Sequence, residues 1–248
     1  MAKNIFKILA VFIIGAVGGI FAEQILWPYF IERPLFYQYG LEQTPVYLTE
    51  KKEITMYVQE NLALREAIEK IDKVVVGVKT ETLEGEILEG SGLVVTSDGL
   101  IITLASLVPF GSKFAFYIDE KWPSYQILKR DLGNNLALIK IEASGLKTCG
   151  FADLEKTRLG ERVFLISMDF DRATTTKSLL LVPQKTVNEG IVSLLDENLI
   201  QTNIFETTNI LGSPLFNIEG EAIGLNFVDE EGRVSTIPIS KIRAFIGL

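Results

Sequence analysis

The chain of 248 residues contains no histidine and a single cysteine, Cys149. Without histidine there is no imidazole general base, no histidine metal ligand and no side chain whose ordinary pKa lies near neutrality. One cysteine closes no intrachain disulfide, and Cys/His clusters are unavailable, so neither a metal nor a cofactor is expected. Positive charge is short as well: 24 Lys and Arg stand against 32 Asp and Glu, a net charge of −8. That is the wrong sign for a nucleic-acid binder, and no local basic stripe compensates. With 20 Gly and 8 Pro, the chain is neither collagenous nor of low complexity. What it has in quantity is apolar surface, 48% of residues against 23% charged, enough for a sizeable core. The length suits one large domain and an appendage.

The appendage is at the N-terminus. From Ile8 to Ala22 the run ILAVFIIGAVGGIFA has no charge and no polar face, which sets it apart from a core helix. Counted over residues 8–27 the stretch is expected to span a bilayer as a helix, with residues 1–30 forming the cytoplasmic N-terminus and anchor. Lys3 and Lys7 precede it and Glu23 follows, so the positive-inside rule places the N-terminus in the cytoplasm and the rest of this single-pass protein outside the cytoplasmic membrane. Aromatic residues Trp27, Tyr29, Phe30, Phe36, Tyr37 and Tyr39 gather where the chain would leave the bilayer. A cleaved signal peptide is the rival reading, opposed by Ile20 at the position that favours a small residue. Residues 31–59, with Pro34, Pro45 and no periodicity, read as a juxtamembrane linker.

The third segment, residues 60–248, begins with an amphipathic helix in ENLALREAIEKI, where Leu64, Ile68 and Ile71 recur at helical spacing. From Val74 the pattern turns to β. Short runs rich in Val and Ile, among them VVVGVK, GLVVTS, LALIKI, VFLIS and AIGLNF, alternate with turn signals such as Ser97-Asp98-Gly99 and Glu219-Gly220. Many such strands predict an all-β barrel or sandwich. The acidic runs Asp119-Glu120 and Asp229-Glu230-Glu231 read as solvated turns, Cys149 as a packed or partly exposed free thiol, and SKIRAFIGL as a terminal helix with Ile242, Phe245 and Ile246 on its apolar face.

The order of motifs resembles the HtrA/Deg branch of trypsin-like serine proteases, in the PA clan. Gly90-Ser91-Gly92-Leu93-Val94-Val95 with Ser97-Asp98-Gly99-Leu100 looks like its GSG strand and hairpin. Asn135-Leu136-Ala137-Leu138-Ile139-Lys140-Ile141 resembles its D-L-A strand. Glu189-Gly190-Ile191-Val192-Ser193, Gly212-Ser213-Pro214-Leu215 and Gly220-Glu221-Ala222-Ile223-Gly224-Leu225-Asn226 follow in family order. The resemblance implies two six-stranded antiparallel barrels, with a site in the cleft between them, behind the transmembrane helix. It also implies peptides or unfolded envelope proteins as partners, a role in protein quality control and a possible homo-oligomer.

Each catalytic position departs from the family pattern. Where the family has T-N-A-H-V-V, this chain has Thr103-Leu104-Ala105-Ser106-Leu107-Val108, placing Ser106 at the general base. The aspartate that orients the base becomes Asn135. Against G-N-S-G-G-P-L stands Asn209-Ile210-Leu211-Gly212-Ser213-Pro214-Leu215, so Leu211 replaces the nucleophile and Asn209 an oxyanion-hole glycine. A serine hydroxyl has no useful basicity near pH 7, an amide carries no charge to stabilise an imidazolium, and leucine is no nucleophile. No catalytic residue is therefore expected. Ser213 is a displaced candidate for the nucleophile, but Pro214 follows it directly, and the nearest lysines, Lys113 and Lys140, suggest no Ser–Lys dyad.

The expected function is that of a membrane-anchored pseudoprotease binding peptides or partner proteins on the extracytoplasmic side. An active endopeptidase with a non-standard site and a scaffold for an active relative are the alternatives. Family members hold substrate as an added strand along the segment after their G-I-N motif, which makes Leu225, Asn226, Phe227 and Val228 the candidate peptide-binding residues.

Overall fold

The computed structural model describes residues 2–26, 62–170, 182–205, 210–229 and 232–248. The chain divides into two compact units, Met1–Gln59 and Glu60–Leu248. In the first, helix α1 (Ala2–Phe21) runs into a π-helical turn at Ala22–Leu26. Its apolar side chains are exposed around the whole circumference, Val11, Phe12, Ile13 and Ile14 in succession. Among the described residues no helix is long and apolar enough to cross a membrane. The expected linker falls outside the described residues.

The second unit opens with helix α2 (62–71), where Ala67 and Ile71 are buried and Leu64 and Ile68 pack at the margin. Twelve strands follow among the described residues: β1 (Val75–Glu81), β2 (Ile87–Val94), β3 (Leu100–Leu104), β4 (Lys113–Tyr117), β5 (Tyr125–Asp131), β6 (Leu136–Ile141), β7 (Arg162–Asp169), β8 (Gln184–Leu195), β9 (Ile200–Phe205), β10 (Pro214–Asn217), β11 (Ala222–Val228) and β12 (Arg233–Pro238). Strands β7 to β12 close into an antiparallel barrel in the order β10-β11-β12-β9-β8-β7. Strands β1 to β6 form a six-stranded sheet in the order β4-β1-β2-β3-β6-β5.

Only one of the two expected barrels is closed by strand pairing. Strands β4 and β5 would have to pair to close the first, and among the described residues they do not. After the tight turn in which Ile118 and Lys121 exchange both main-chain hydrogen bonds (3.0 and 2.9 Å), Pro123 offers no N–H to continue a ladder. Strand β5 also bulges between Ile127 and Lys129. Side chains fill the seam instead: Tyr125 packs edge-on against Phe114 and Phe116, with ring centroids 5.9 and 5.0 Å apart.

Strand β7 explains how sheet and barrel become one body. Its sequence VFLISM is buried on both faces and apolar except for Ser167, whose hydroxyl pairs with that of Thr186 at 2.6 Å. Val163 and Leu165 join the barrel core, while Phe164, Ile166, Met168 and the following Phe170 join the core shared with the first sheet. Buried on both sides, such a strand reads as a continuous apolar run rather than an alternating one. The Ser91 hydroxyl on β2 accepts the Met168 N–H at 2.9 Å and bonds the two layers directly. The terminal helix α3 (Ile239–Ile246) buries Ile239, Ile242 and Phe245 in the same core. Ile246, expected on that face, is only partly buried.

Candidate functional site

The candidate site is built where three loops meet β2. The GSG segment needs its first glycine for a contact between main chains: a Cβ on Gly90 would stand 2.4 Å from the Leu211 carbonyl oxygen and 2.6 Å from Leu107 Cδ1. That same carbonyl accepts the Ser91 N–H at 2.8 Å. Gly212 answers from the other side, with φ +70° and space so tight that a Cβ would lie 2.2 Å from the Ser91 oxygen. Thr103, fully buried, donates its hydroxyl to the same Ser91 oxygen at 2.6 Å. Leu211 is thereby fixed at the margin of the shared core by hydrogen bonds of its own and its neighbour's backbone.

Ser106 lies exposed in a short 3-10 turn, Ala105–Leu107, at the end of β3. Asn135 immediately precedes β6 with φ +54°, a left-handed conformation that asparagine adopts more readily than most residues. From there it grips the turn twice: its carbonyl accepts the Ala105 N–H at 3.1 Å and its Oδ1 accepts the Ser106 N–H at 2.8 Å. Leu107, the last residue of that turn, closes against Gly90 and Gly212. Ser106, Asn135 and Leu211 thus belong to elements that converge on one spot. Asn209 lies outside the described residues.

Ser213 is not an exposed nucleophile. It is completely buried, and its hydroxyl accepts a hydrogen bond from Asn226 Nδ2 at 3.1 Å. Asn226 Oδ1 in turn accepts from the Thr236 hydroxyl at 2.6 Å. This chain of three buried polar side chains ties the 211–213 loop to β11 and β12, and no lysine takes part in it. Buried in this way, the Ser213 hydroxyl is not exposed to solvent.

The four residues expected to hold a peptide divide in two. Leu225 and Asn226 are fully buried, and both main-chain groups of Asn226 are engaged, its oxygen by the Gly212 N–H and its N–H by the Ser213 oxygen, each at 2.8 Å. The 210–213 loop completes the sheet at Asn226. Phe227 and Val228 are partly exposed. Along a strand the main-chain groups of successive residues point to opposite sides. Asn226 therefore bonds toward the 210–213 loop, Phe227 toward β12, and Val228 again toward the loop side, beyond the end of the β10 pairing at Pro214 and Leu225. The Asp229 N–H, bonded to the Arg233 oxygen at 3.0 Å, continues the alternation. Among the described residues no strand pairs with Val228 on that side. A cavity of about 210 Å³ opens between Phe227 and Asn135.

Cys149 is a partly buried free thiol. Burial is the main cause that pushes its pKa up to about 11, which makes it a poor nucleophile. Among the described residues no cluster of acidic or sulfur ligands is placed to hold a metal.

A family model for the trypsin-like peptidase domain matches residues 90–225, more than half of the chain. Serine protease HTRA1 of Xenopus laevis is 33% identical over 163 residues, covering 63% of this chain and 35% of its own length. A probable periplasmic serine endoprotease, DegP-like, of Hahella chejuensis is 31% identical over 146 residues, 55% of this chain and 29% of its own. The matched region thus spans about a third of these relatives. With the closed barrel, the partnering half-barrel and the GSG segment packed against the 211–213 loop, the chain belongs to the trypsin-like peptidase domain family.

Proposed function

We propose that this protein is an extracytoplasmic pseudoprotease that binds extended peptides without cutting them. The observation that carries the reading is the composition of the cleft. By the family resemblance Ser106, Asn135 and Leu211 stand for base, orienter and nucleophile, and the chain has no histidine anywhere. Asn135 still performs the structural half of the orienting residue's task by accepting the Ser106 N–H. The catalytic half needs a negative charge and an imidazole to act on. Strand addition needs neither, only an open main-chain edge and apolar neighbours, and Val228 and Phe227 supply those.

The N-terminal segment fits a tether. The uncharged run from Ile8 to Ala22, the lysines before it and the exposed apolar girdle of α1 support an anchor with the β unit outside the cytoplasm. The DegP-like relatives named as periplasmic are compatible with that side.

The test is a pair of measurements on the purified protein. A fluorophosphonate serine probe should leave it unlabelled and casein should remain intact, while extended apolar peptides should bind saturably in the micromolar range, about −8 kcal/mol or weaker. Labelling that vanishes on Ser213→Ala would reverse the assignment of the nucleophile position. Carbonate extraction that releases the protein from membranes would remove the tether.

A further inference from the structure

The cavity beside Phe227 has a lining unlike that of a neutral groove. Asn134, Asn135, Asn198 and Lys241 supply its polar wall, Leu199 and Phe227 an apolar one, and no carboxylate lines it. Two of the polar groups have donors to spare. The Ser106 N–H needs an acceptor opposite it, which fixes Asn135 with Oδ1 toward Ser106 and leaves Nδ2 without a partner among the described residues. Lys241 is half-buried near the start of α3 and makes no ion pair or hydrogen bond among the described residues. It also borders a neighbouring groove lined by Glu155, Asp196 and Glu197, yet pairs with none of them. Asn134 differs, giving its N–H and Nδ2 to Asp131 at 3.0 and 2.7 Å, which keeps that carboxylate engaged on its own loop.

A lysine and an asparagine that line one cavity with an apolar wall, and whose donor groups have no partner among the described residues, match a carboxylate on a short apolar stem. We propose that this cavity receives a carboxylate from a peptide held on the Val228 edge, either an acidic side chain or the peptide's own C-terminus. The inference rests on the strand-addition reading above. In an added strand alternate side chains share one face, and those on the Phe227 face are directed to the cavity. The change at position 135 is what makes the site receptive. The aspartate implied by the family resemblance would line the cavity with negative charge and repel the ligand. Asparagine removes the charge and turns one lining atom from acceptor to donor. Loss of the orienting carboxylate and gain of a carboxylate subsite are then one substitution.

The experiment is isothermal titration of the full chain, in mild detergent, with acetylated and amidated Val/Thr hexapeptides carrying one Glu stepped along the sequence. Two comparison sets accompany it: the same peptides with Gln for Glu, and the Glu-free peptide as its free acid. One carboxylate position should bind about tenfold more tightly than its amide match, as a charged hydrogen-bonded contact does. That advantage should shrink to about twofold or less in Lys241→Gln and in Asn135→Asp, the latter retaining an acceptor for the Ser106 N–H. An advantage in the Glu series identifies a side chain as the source, and one in the free acid identifies the C-terminus. Equal binding of acid and amide forms overturns the inference and leaves strand addition standing. An advantage that survives both substitutions places the carboxylate elsewhere and also overturns it. Absence of saturable binding by any peptide overturns strand addition and the inference together.

Discussion

Lys79 and Glu89 face each other across β1 and β2 as an ion pair, Nζ to Oε1 at 2.6 Å, with only 7% and 11% of their side chains exposed. The ammonium also lies 5.3 Å from the centroid of the Phe170 ring. The pair stands one residue from Gly90 on the face that meets β7, so its cost and its benefit fall at the junction of sheet and barrel. Removing one partner strands the other in a dry site. Lys79→Met or Glu89→Leu alone should each cost about 3 kcal/mol or more, while the double substitution should return to within about 1 kcal/mol of the parent. Urea unfolding of the four proteins checks this, and additive single effects would contradict it.

The Thr236–Asn226–Ser213 chain makes a second stability prediction, separate from catalysis. Ser213→Ala leaves Asn226 Nδ2 without its acceptor, and Thr236→Val leaves Asn226 Oδ1 without its donor. Each should destabilise by about 1–3 kcal/mol, with serine-probe reactivity unchanged at background. Thermal melts beside labelling gels measure both. A Ser213→Ala variant as stable as the parent would show that the buried hydroxyl is not held as described.

Cys149 gives a pH prediction whose sign is fixed by burial. Its folded pKa is raised to about 11, above the value near 8.5 of a solvated thiol, so between those values the folded state holds the proton more firmly than the unfolded one. The stabilisation is complete below about pH 8.5 and is lost as pH rises through about 11, at a slope of up to ~1.4 kcal/mol per pH unit. Cys149→Ala should flatten the alkaline limb of a stability curve relative to the parent. Iodoacetamide should modify the folded thiol slowly at pH 8 and rapidly after denaturation.

The sequence was most legible where local chemistry and position agree. The GSG strand, the Asn135 strand and the glycine turns stand at the places their patterns indicate, and α3 ends on Gly247 at φ +83°. Two strands escape a search for alternation, β5 because its bulge at Ile127/Lys129 breaks the period, and β10 because it is four residues long and starts at Pro214. In the cleft, a Gly-Ser-Pro string looks like an exposed turn. Only the tertiary bonds from Asn226 and to Ser91 show that Ser213 is interior. Nothing in their local sequence marks Lys79 and Glu89 as a buried pair; the tertiary approach of Phe170 does. The same limit governs β11. Nothing local distinguishes Asn226, whose edge the 210–213 loop covers, from Val228, whose edge begins where that loop ends.

The Val228 edge is the most direct test of what the cleft still does. Its N–H and carbonyl point away from β12, because the Phe227 and Asp229 groups on either side take the β12 direction. Val228→Pro removes the donor and keeps the residue partly buried at a strand end, where proline is tolerated. The fold should survive with a cost of about 1 kcal/mol or less. Peptide affinity should fall about tenfold, since the lost N–H anchors the first rung of an added strand. Phe227→Pro is the matched control: its N–H serves the β12 ladder, so that variant should lose stability by about 3 kcal/mol. Titration of an apolar peptide against both variants, with melting curves for each, separates the roles. Unchanged affinity in Val228→Pro would mean that peptides, if they bind, use another edge of the molecule.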